Sequence, residues 1–174
     1  GITGAGVFRA AAAAGLQVLL LEANDYAFGT SSRSSKLVHG GLRYLNQKQF
    51  EVTFESVRER QKMLKNVPEL VKPLCFLISN YAGGEISTRK YLIGLILYDL
   101  MGSKWDHGRL SREKVLDLCP QIRSEGLVSG LFYYDAVVDD ARLVLRLIEE
   151  GKQLGGTALN YARVTGLLRN LRHE

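Results

Sequence analysis

The sequence is poor in the residues that mark several specialised classes of protein. Its 174 residues include 2 cysteines, 3 prolines and 3 histidines, and no apolar run approaches the roughly 20 residues that span a bilayer. Cys75 and Cys119 stand far apart without a CxxC spacing, which argues against a disulfide scaffold and against a zinc site. We expect both to be reduced thiols in the core of a cytoplasmic protein. No basic segment opens the chain, so a signal peptide is not expected.

What the chain does contain is typical of a globular domain. Hydrophobic residues make up 46% and charged residues 24%, and 23 Lys+Arg against 18 Asp+Glu leave a net charge of +5. This apolar content with little net charge excludes a disordered chain and suffices for a core. Because the positive charge is spread along the sequence, it does not indicate nucleic-acid binding; an anionic substrate or a membrane surface suits it as well.

The first 22 residues carry part of a dinucleotide-binding motif. GITGAG and an alanine-rich stretch precede Gly15 and the apolar run LQVLLL, which ends at Glu22. This pattern predicts a helix ended by Gly15 and then a buried parallel strand. In GxGxxG, Gly1 would be the second glycine and Gly4 the third, with the first glycine and its strand missing. Gly1 would let backbone approach a pyrophosphate, Gly4 would let the helix pack closely, and Glu22 would bind a ribose hydroxyl. A small-residue helix packed on a strand without any ligand is the simpler alternative.

The segment 29–45 is too polar and too rich in glycine for a core element. GTSSRSSKLVHGGLRYL supplies four serines, one threonine and three basic side chains. Such a segment can wrap a phosphorylated cofactor through many hydrogen bonds. A solvated serine-rich linker is the alternative interpretation.

These motifs together resemble one enzyme family. TSSRSSKLVHGGLRYL, with GITGAG before it and YYDAVVDDARLV after it, resembles the FAD-dependent glycerol-3-phosphate dehydrogenases, nearest to their bacterial aerobic, quinone-linked branch. The resemblance runs from Gly1 to about Leu168. It implies oxidation of sn-glycerol 3-phosphate to dihydroxyacetone phosphate, with FAD as cofactor and quinone as electron acceptor. It further implies a cytoplasmic enzyme peripherally associated with the inner membrane, and it leaves a homodimer open. Because members are much longer, we interpret the chain as an N-terminal portion.

The resemblance assigns roles to individual residues. Gly1 and Gly4 would serve the pyrophosphate and Glu22 the adenosine ribose, while Arg43 would bind the substrate phosphate and Tyr44 would orient the substrate. His39 is a candidate base, although a histidine beside a glycine turn is often structural. The remaining cofactor-binding residues would be Thr30, Ser31, Ser32, Ser35, Lys36, Leu37 and Val164. No metal site is expected, and His107 and His173 are expected at the surface.

The predicted fold class is α/β, a Rossmann-like FAD-binding βαβ fold without its first strand and with inserted substrate-domain elements. Residues 1–72 would begin the FAD-binding domain, 73–135 would be substrate or cap elements, and 136–174 would continue the FAD-binding domain. Periodicity predicts a helix over 48–66 that buries Phe50, Phe54, Val57, Gln61 and Leu64. It also predicts strands over 74–79, 130–135 and 136–138, and a helix over 141–154 begun by Asp139 or Asp140. The resemblance implies a further strand over 160–168, where flavoproteins of this class hold adenine through backbone groups, with Val164 as the candidate. Residues 91–98 form the most apolar stretch, either a buried helix or a membrane-facing one, and Ser111 should cap a short helix.

Other functions remain open from the sequence. A glycerol-phosphate oxidase that uses oxygen is the nearest alternative, and an FAD-dependent amine or amino-acid oxidoreductase is more distant. An inactive piece of a cofactor-binding fold is the alternative of a different class.

Overall fold

In the computed structural model, the chain is described over residues 1–41, 44, 47, 49–84, 88–102 and 107–168. It divides into two compact units. Unit 1 is Gly1–Lys36 with the chain from Asp139 onward, and unit 2 is Leu37–Val138. The predicted division into 1–72, 73–135 and 136–174 places its first boundary at residue 72, later than the change of unit after Lys36. This division stays a prediction about domains.

Helices and strands follow one another along the described chain, with only a 3₁₀ turn between the first two strands. In chain order they are α1 (Ile2–Ala13), β1 (Leu19–Leu21), β2 (Leu37–Val38), α2 (Phe50–Asn66), β3 (Val71–Tyr81), α3 (Thr88–Gly102), β4 (Gly108–Ser111), α4 (Arg112–Leu118), β5 (Leu127–Val138), α5 (Asp140–Gln153) and β6 (Thr157–Leu159). A 3₁₀ turn covers Thr30–Ser32. The predicted α/β class is confirmed.

Unit 1 contains the predicted helix–glycine–strand arrangement. Gly15 follows α1 with φ +77°, and its N–H donates to the Ala12 carbonyl at 3.0 Å. The Leu16 N–H donates to the Ala11 carbonyl at 3.1 Å, so the helix ends in a Schellman motif that favours glycine at this position. Strand β1 then pairs in parallel with β6. The expected parallel pairing is confirmed, but the expected burial is wrong, because Leu19 and Leu21 are 55% and 40% exposed.

The core of unit 1 lies where α1 packs on α5. Ala5 and Phe8 of α1 are buried against Val144 and Ile148 of α5. A Cβ at Gly151 would overlap the Phe8 ring, so glycine there permits the close approach of the two helices. The alanine-rich stretch, in which Ala12 is buried and most of the others are exposed, is helical because alanine loses no side-chain entropy in a helix.

Unit 2 is built around β5. This strand pairs antiparallel with β3 along its length and, on its other side, with β2 and then with β4. The expected break between 130–135 and 136–138 is wrong, because β5 is one continuous strand of 12 residues. The strand expected over 74–79 is the middle of β3, which extends through Pro73. Proline is tolerated there because, within the described residues, β3 pairs with β5 alone and forms an edge.

Helix α2 ends at Asn66 as predicted but buries a different face. Thr53, Val57 and Arg60 are buried, whereas Phe50 and Phe54 are half exposed. The true inward stripe follows positions 53, 57 and 60, and it includes a charged side chain that hydrophobicity alone would place outside. The expected burial of Phe50 and Phe54 is wrong.

The segment after β6 also differs from expectation. The strand predicted over 160–168 is wrong, because β6 is Thr157–Leu159 and the chain after it is irregular. The Ala162 N–H donates to the Glu22 carbonyl at 2.9 Å, which carries the chain past the end of β1. Val164 is 57% exposed.

Two apolar features are more exposed than the sequence predicts. Cys75 is exposed on the edge strand β3 and Cys119 is half-buried, so the expectation of two core thiols is wrong. Helix α3 buries Leu95 and Tyr98 but leaves Ile93 and Leu100 more than half exposed. Among the described helices, none combines the length and apolar character needed to cross a membrane.

Candidate functional site

The N-terminus of α1 gathers three of the predicted cofactor residues in unit 1. The Ile2 N–H donates to Ser31 Oγ at 2.9 Å, and the Gly1 nitrogen lies 3.8 Å from Glu22 Oε2. The other Glu22 oxygen, Oε1, accepts the Asn24 N–H at 3.0 Å, which fixes the carboxylate at the carboxyl end of β1. First-turn N–H groups lack partners inside their helix and carry partial positive charge. This end of unit 1 can therefore hold an anionic group beside a carboxylate acceptor.

The two glycines of the motif have different surroundings. A Cβ at Gly1 would lie 3.1 Å from Ser31 Oγ, closer than ordinary contact, so the 3₁₀ turn packs directly on this position. A Cβ at Gly4 would lie 3.8 Å from Leu20 Cδ1, an ordinary van der Waals distance. Packing of α1 on β1 therefore does not by itself require glycine at position 4.

Asp140 ties down the serine-rich segment in unit 1. Ser34 Oγ donates to Asp140 Oδ2 at 2.7 Å, and Lys36 Nζ lies 2.6 Å from Asp140 Oδ1. The Lys36 N–H donates to Ser34 Oγ at 3.0 Å. These contacts hold Lys36 at φ +57°, a left-handed conformation that lysine rarely adopts. Ser35 sits at the middle of this tied turn and is exposed.

The charges of this cluster stabilise one another. Hydrogen bonds from Lys36 and then Ser34 lower the pKa of Asp140 to about 2. The hydrogen bond to Asp140 raises the pKa of Lys36. Sequence reasoning treated Asp140 only as an alternative cap of α5, but Asp139 fills that role by accepting the Arg142 N–H at 3.1 Å. The sequence signal for this cluster was the adjacent pair Asp139 and Asp140, because one helix start needs only one of them as its N-cap.

Unit 2 contains an open cavity of about 410 Å³ that includes several predicted site residues. Its wall is formed by Leu37, His39, Gly41, Tyr44, Gln47, Phe76, Tyr133 and Asp135. The rings of His39 and Tyr44 lie 6.3 Å apart, and Tyr133 stacks on Phe76 of the neighbouring strand at 5.3 Å. The structure thus brings Leu37, His39 and Tyr44 together at one cavity, while their predicted roles stay a prediction.

The turn beside His39 depends on glycine at two positions. Gly41 has φ +78°, and the Tyr44 N–H donates to its carbonyl at 2.8 Å. A Cβ at Gly40 would overlap the Tyr98 hydroxyl and Val57. The turn therefore lies directly on the core of unit 2, and its geometry decides where His39 stands.

A buried charged cluster lies under this turn. Asp135 Oδ1 accepts from Arg60 Nη1 at 2.7 Å and from the Gly40 N–H at 3.1 Å. The Tyr98 hydroxyl donates to Asp135 Oδ2 at 3.1 Å and accepts from Arg60 Nη1 at 2.7 Å. Burial, the largest cause, raises the pKa of Tyr98. The sequence analysis did not predict this cluster. Its sequence signal was Arg60, which lies three residues after Val57 and therefore on the same buried face of α2.

The remaining predicted residues are placed as follows. Thr30 and Ser32 lie in the 3₁₀ turn, on either side of Ser31, which contacts the N-terminus of α1. Arg43 and His173 lie outside the described residues. His107 is not at the surface as expected: its side chain is 10% exposed and Nδ1 lies 2.5 Å from Asp99 Oδ2. The described residues contain no group of three or more acidic, cysteine or histidine side chains that could hold a metal ion.

Comparison with known proteins gives a consistent picture. A family model described as FAD dependent oxidoreductase matches residues 1–173. The chain is 42% identical to the alpha-glycerophosphate oxidase of Enterococcus casseliflavus, an alignment that covers 97% of this chain and 29% of that protein. It is 40% identical to the aerobic glycerol-3-phosphate dehydrogenase of Bacillus subtilis, over 97% of this chain and 31% of that protein. The chain therefore spans about three-tenths of the length of these relatives.

A solved structure agrees with these relatives. The glycerol-3-phosphate dehydrogenase from Bacillus halodurans, solved in complex with FAD, superposes with a TM-score of 0.69 at 31% identity. The superposition covers 98% of this chain and 27% of that one.

Proposed function

Because the chain belongs to the family of FAD-dependent oxidoreductases, we propose that it takes part in the FAD-dependent oxidation of sn-glycerol 3-phosphate to dihydroxyacetone phosphate. The observation that supports FAD binding most directly is the meeting of Gly1, Ser31 and Glu22 at the N-terminus of α1. The relatives named for glycerol 3-phosphate support the substrate.

The residues of unit 1 fit the dinucleotide half of FAD. First-turn N–H groups of α1 would bind the pyrophosphate, with Ser31 and its neighbours Thr30 and Ser32 beside them. Glu22 Oε2 would accept a ribose hydroxyl, since Oε1 is already used by the Asn24 N–H. An acid at this position would repel a 2′-phosphate, which favours FAD over a phosphorylated nicotinamide cofactor.

The flavin of FAD supplies a two-electron acceptor for hydride transfer when it is bound. The chain's own contribution is to bind the substrate and to take the proton of its C2 hydroxyl. His39 lines the cavity of unit 2, and an imidazole exchanges protons in the physiological pH range. We assign His39 as the base for that proton, with Tyr44 and Leu37 shaping the same cavity.

Arg43 is proposed to bind the phosphate of the substrate. A guanidinium can bind phosphate through two parallel hydrogen bonds, which a lysine ammonium cannot reproduce. Arg43→Ala should raise KM for glycerol 3-phosphate far more than it lowers flavin content. Equal loss of both would instead make Arg43 a cofactor contact.

The electron acceptor is proposed to be a quinone, with oxygen as the second candidate. The relatives favour neither strongly, since one is named an oxidase at 42% identity and another a dehydrogenase at 40%. A quinone would be met at a membrane surface, and the exposed Ile93 and Leu100 of α3 are apolar side chains suited to such contact. We accordingly propose a cytoplasmic enzyme peripherally associated with the inner membrane; a homodimer remains a hypothesis.

The test is a substrate and acceptor panel on the complete purified protein. Flavin reduction is compared for glycerol 3-phosphate, glycerol and glycine, and reoxidation is compared for a quinone analogue and oxygen. The proposal predicts reduction by glycerol 3-phosphate alone and faster reoxidation by the quinone. Reduction by glycine would favour an amino-acid oxidoreductase, and rapid peroxide formation with a slow quinone reaction would favour an oxidase.

A further inference from the structure

We infer that Arg60, Asp135 and Tyr98 form a positioning cluster that fixes the His39–Gly41 turn for the substrate step, an inference that rests on the proposed function. None of the three was expected from the sequence to belong to the site. Asp135 itself forms part of the cavity wall, on the strand that carries Tyr133.

Both oxygens of the Asp135 carboxylate accept hydrogen bonds. Its two oxygens accept from Arg60, from the Tyr98 hydroxyl and from the backbone N–H of Gly40. Gly40 is 95 residues away in the sequence, so this bond attaches the turn to the central strand of the sheet. Because His39 and Gly41 flank Gly40 and both line the cavity, the position of Gly40 determines theirs.

The cluster is not the arrangement that stability alone would favour. The side chains of Arg60 and Asp135 are only 6% and 3% exposed, and a buried ion pair of this kind is often no more stabilising than apolar residues of the same volume. Arg60 Nε is also buried without a hydrogen-bond partner in the described residues, although buried polar atoms are nearly always satisfied. The buried ion pair is instead suited to holding one defined geometry of the turn.

Tyr98 transmits this geometry by direct contact. Its hydroxyl occupies the space that a Cβ at Gly40 would need, and the Arg60 guanidinium lies 5.0 Å from the centre of its ring. A shift of Tyr98 or Arg60 therefore moves the turn. Misplacement of a catalytic group by about 1 Å can lower rates on the order of 100-fold.

The experiment compares Asp135→Asn and Tyr98→Phe in the complete, flavin-loaded protein. Asp117→Asn, on the exposed face of α4, is the matched control for the charge, and Tyr134→Phe, an exposed tyrosine of β5, is the control for the hydroxyl. Four quantities are measured: flavin content, thermal midpoint, kcat/KM for glycerol 3-phosphate, and amide hydrogen exchange at 39–41.

Both cluster variants should lower kcat/KM at least about tenfold and speed exchange of the Gly40 amide, with flavin content kept. Tyr98→Phe, which retains the ring and leaves the Arg60–Asp135 ion pair in place, should stay folded, so it tests positioning even where Asp135→Asn fails to fold. The controls should match the wild type. A kcat/KM within twofold of wild type with unchanged exchange would overturn the inference. A wild-type flavin that glycerol 3-phosphate does not reduce would instead contradict the proposed function.

Discussion

Lys36 and Asp140, 104 residues apart in the sequence, are joined by a 2.6 Å contact between Nζ and Oδ1. This pair, with Ser34, holds the serine-rich segment against the start of α5. Lys36, one of the predicted cofactor-binding residues, thus has a carboxylate partner, and its backbone is held in a left-handed conformation. This clamp of Ser34, Lys36 and Asp140 orders the segment 34–36. That segment follows the 3₁₀ turn beside the proposed pyrophosphate site.

Asp140→Asn should weaken FAD retention. The amide keeps the volume but cannot form the ion pair with Lys36, so the segment 34–36 loses its anchor. Flavin retained after gel filtration of the complete protein measures the effect. Asp139→Asn removes the same charge at the same helix start, and asparagine caps helices as well as aspartate does, so this control should keep its flavin. Equal loss in both variants would point to helix α5 and not to the clamp.

The same clamp should depend on pH in a defined window. The folded pKa of Asp140, about 2, lies below the ordinary value of 3.8. The stabilisation is therefore present above about pH 4 and is lost as the pH falls through the folded pKa. Carboxyl NMR of Asp140 should show a midpoint well below 3.8, the ordinary value for an aspartate. A midpoint near 3.8 would contradict the paired state.

Glu22→Gln should weaken FAD binding at least about tenfold, since a hydrogen bond to a charged group is worth about 1.5–3 kcal/mol. The amide oxygen can still accept the Asn24 N–H, so the local fold should survive. Equilibrium titration of the apoprotein with FAD measures the change. Glu149→Gln, also in unit 1 but exposed, should leave the affinity unaltered. Unchanged affinity in Glu22→Gln would refute the ribose assignment.

Phe8→Ala should destabilise unit 1 by about 3–5 kcal/mol, the usual cost of emptying a buried phenylalanine site. Phe8 is 1% exposed and packs between the two main helices of this unit. Denaturant unfolding measures the change, with Val7→Ala, a 64% exposed neighbour on α1, as the control. A loss below about 1 kcal/mol would mean that the α1–α5 interface is loosely packed.

Local signals made part of this structure predictable. Gly15 ends α1 and Ser111 caps α4 by accepting the Lys114 N–H at 3.3 Å, because each effect depends on residues within one helical turn. The parallel strand followed from an unbroken apolar run. His39 and Tyr44 were proposed from the family resemblance of segment 29–45; both line one cavity, and their roles stay a prediction.

The charged clusters were not predictable in the same way. Arg60 and Asp135 are separated by 75 residues, and a single sequence does not show which distant elements meet. Helical periodicity also placed the phenylalanines of α2 inside, whereas tertiary packing selected the stripe that contains Arg60. Strand lengths were underestimated for β3 and β5 because long-range pairing, and not local composition, extends them.

Anaerobic titration of the complete, flavin-loaded protein with glycerol 3-phosphate tests the central claim most directly. The account predicts that about one equivalent of substrate per flavin bleaches the visible absorbance and yields dihydroxyacetone phosphate in equal amount. A flavin that stays oxidised in excess glycerol 3-phosphate, or a protein purified without any flavin, would contradict it.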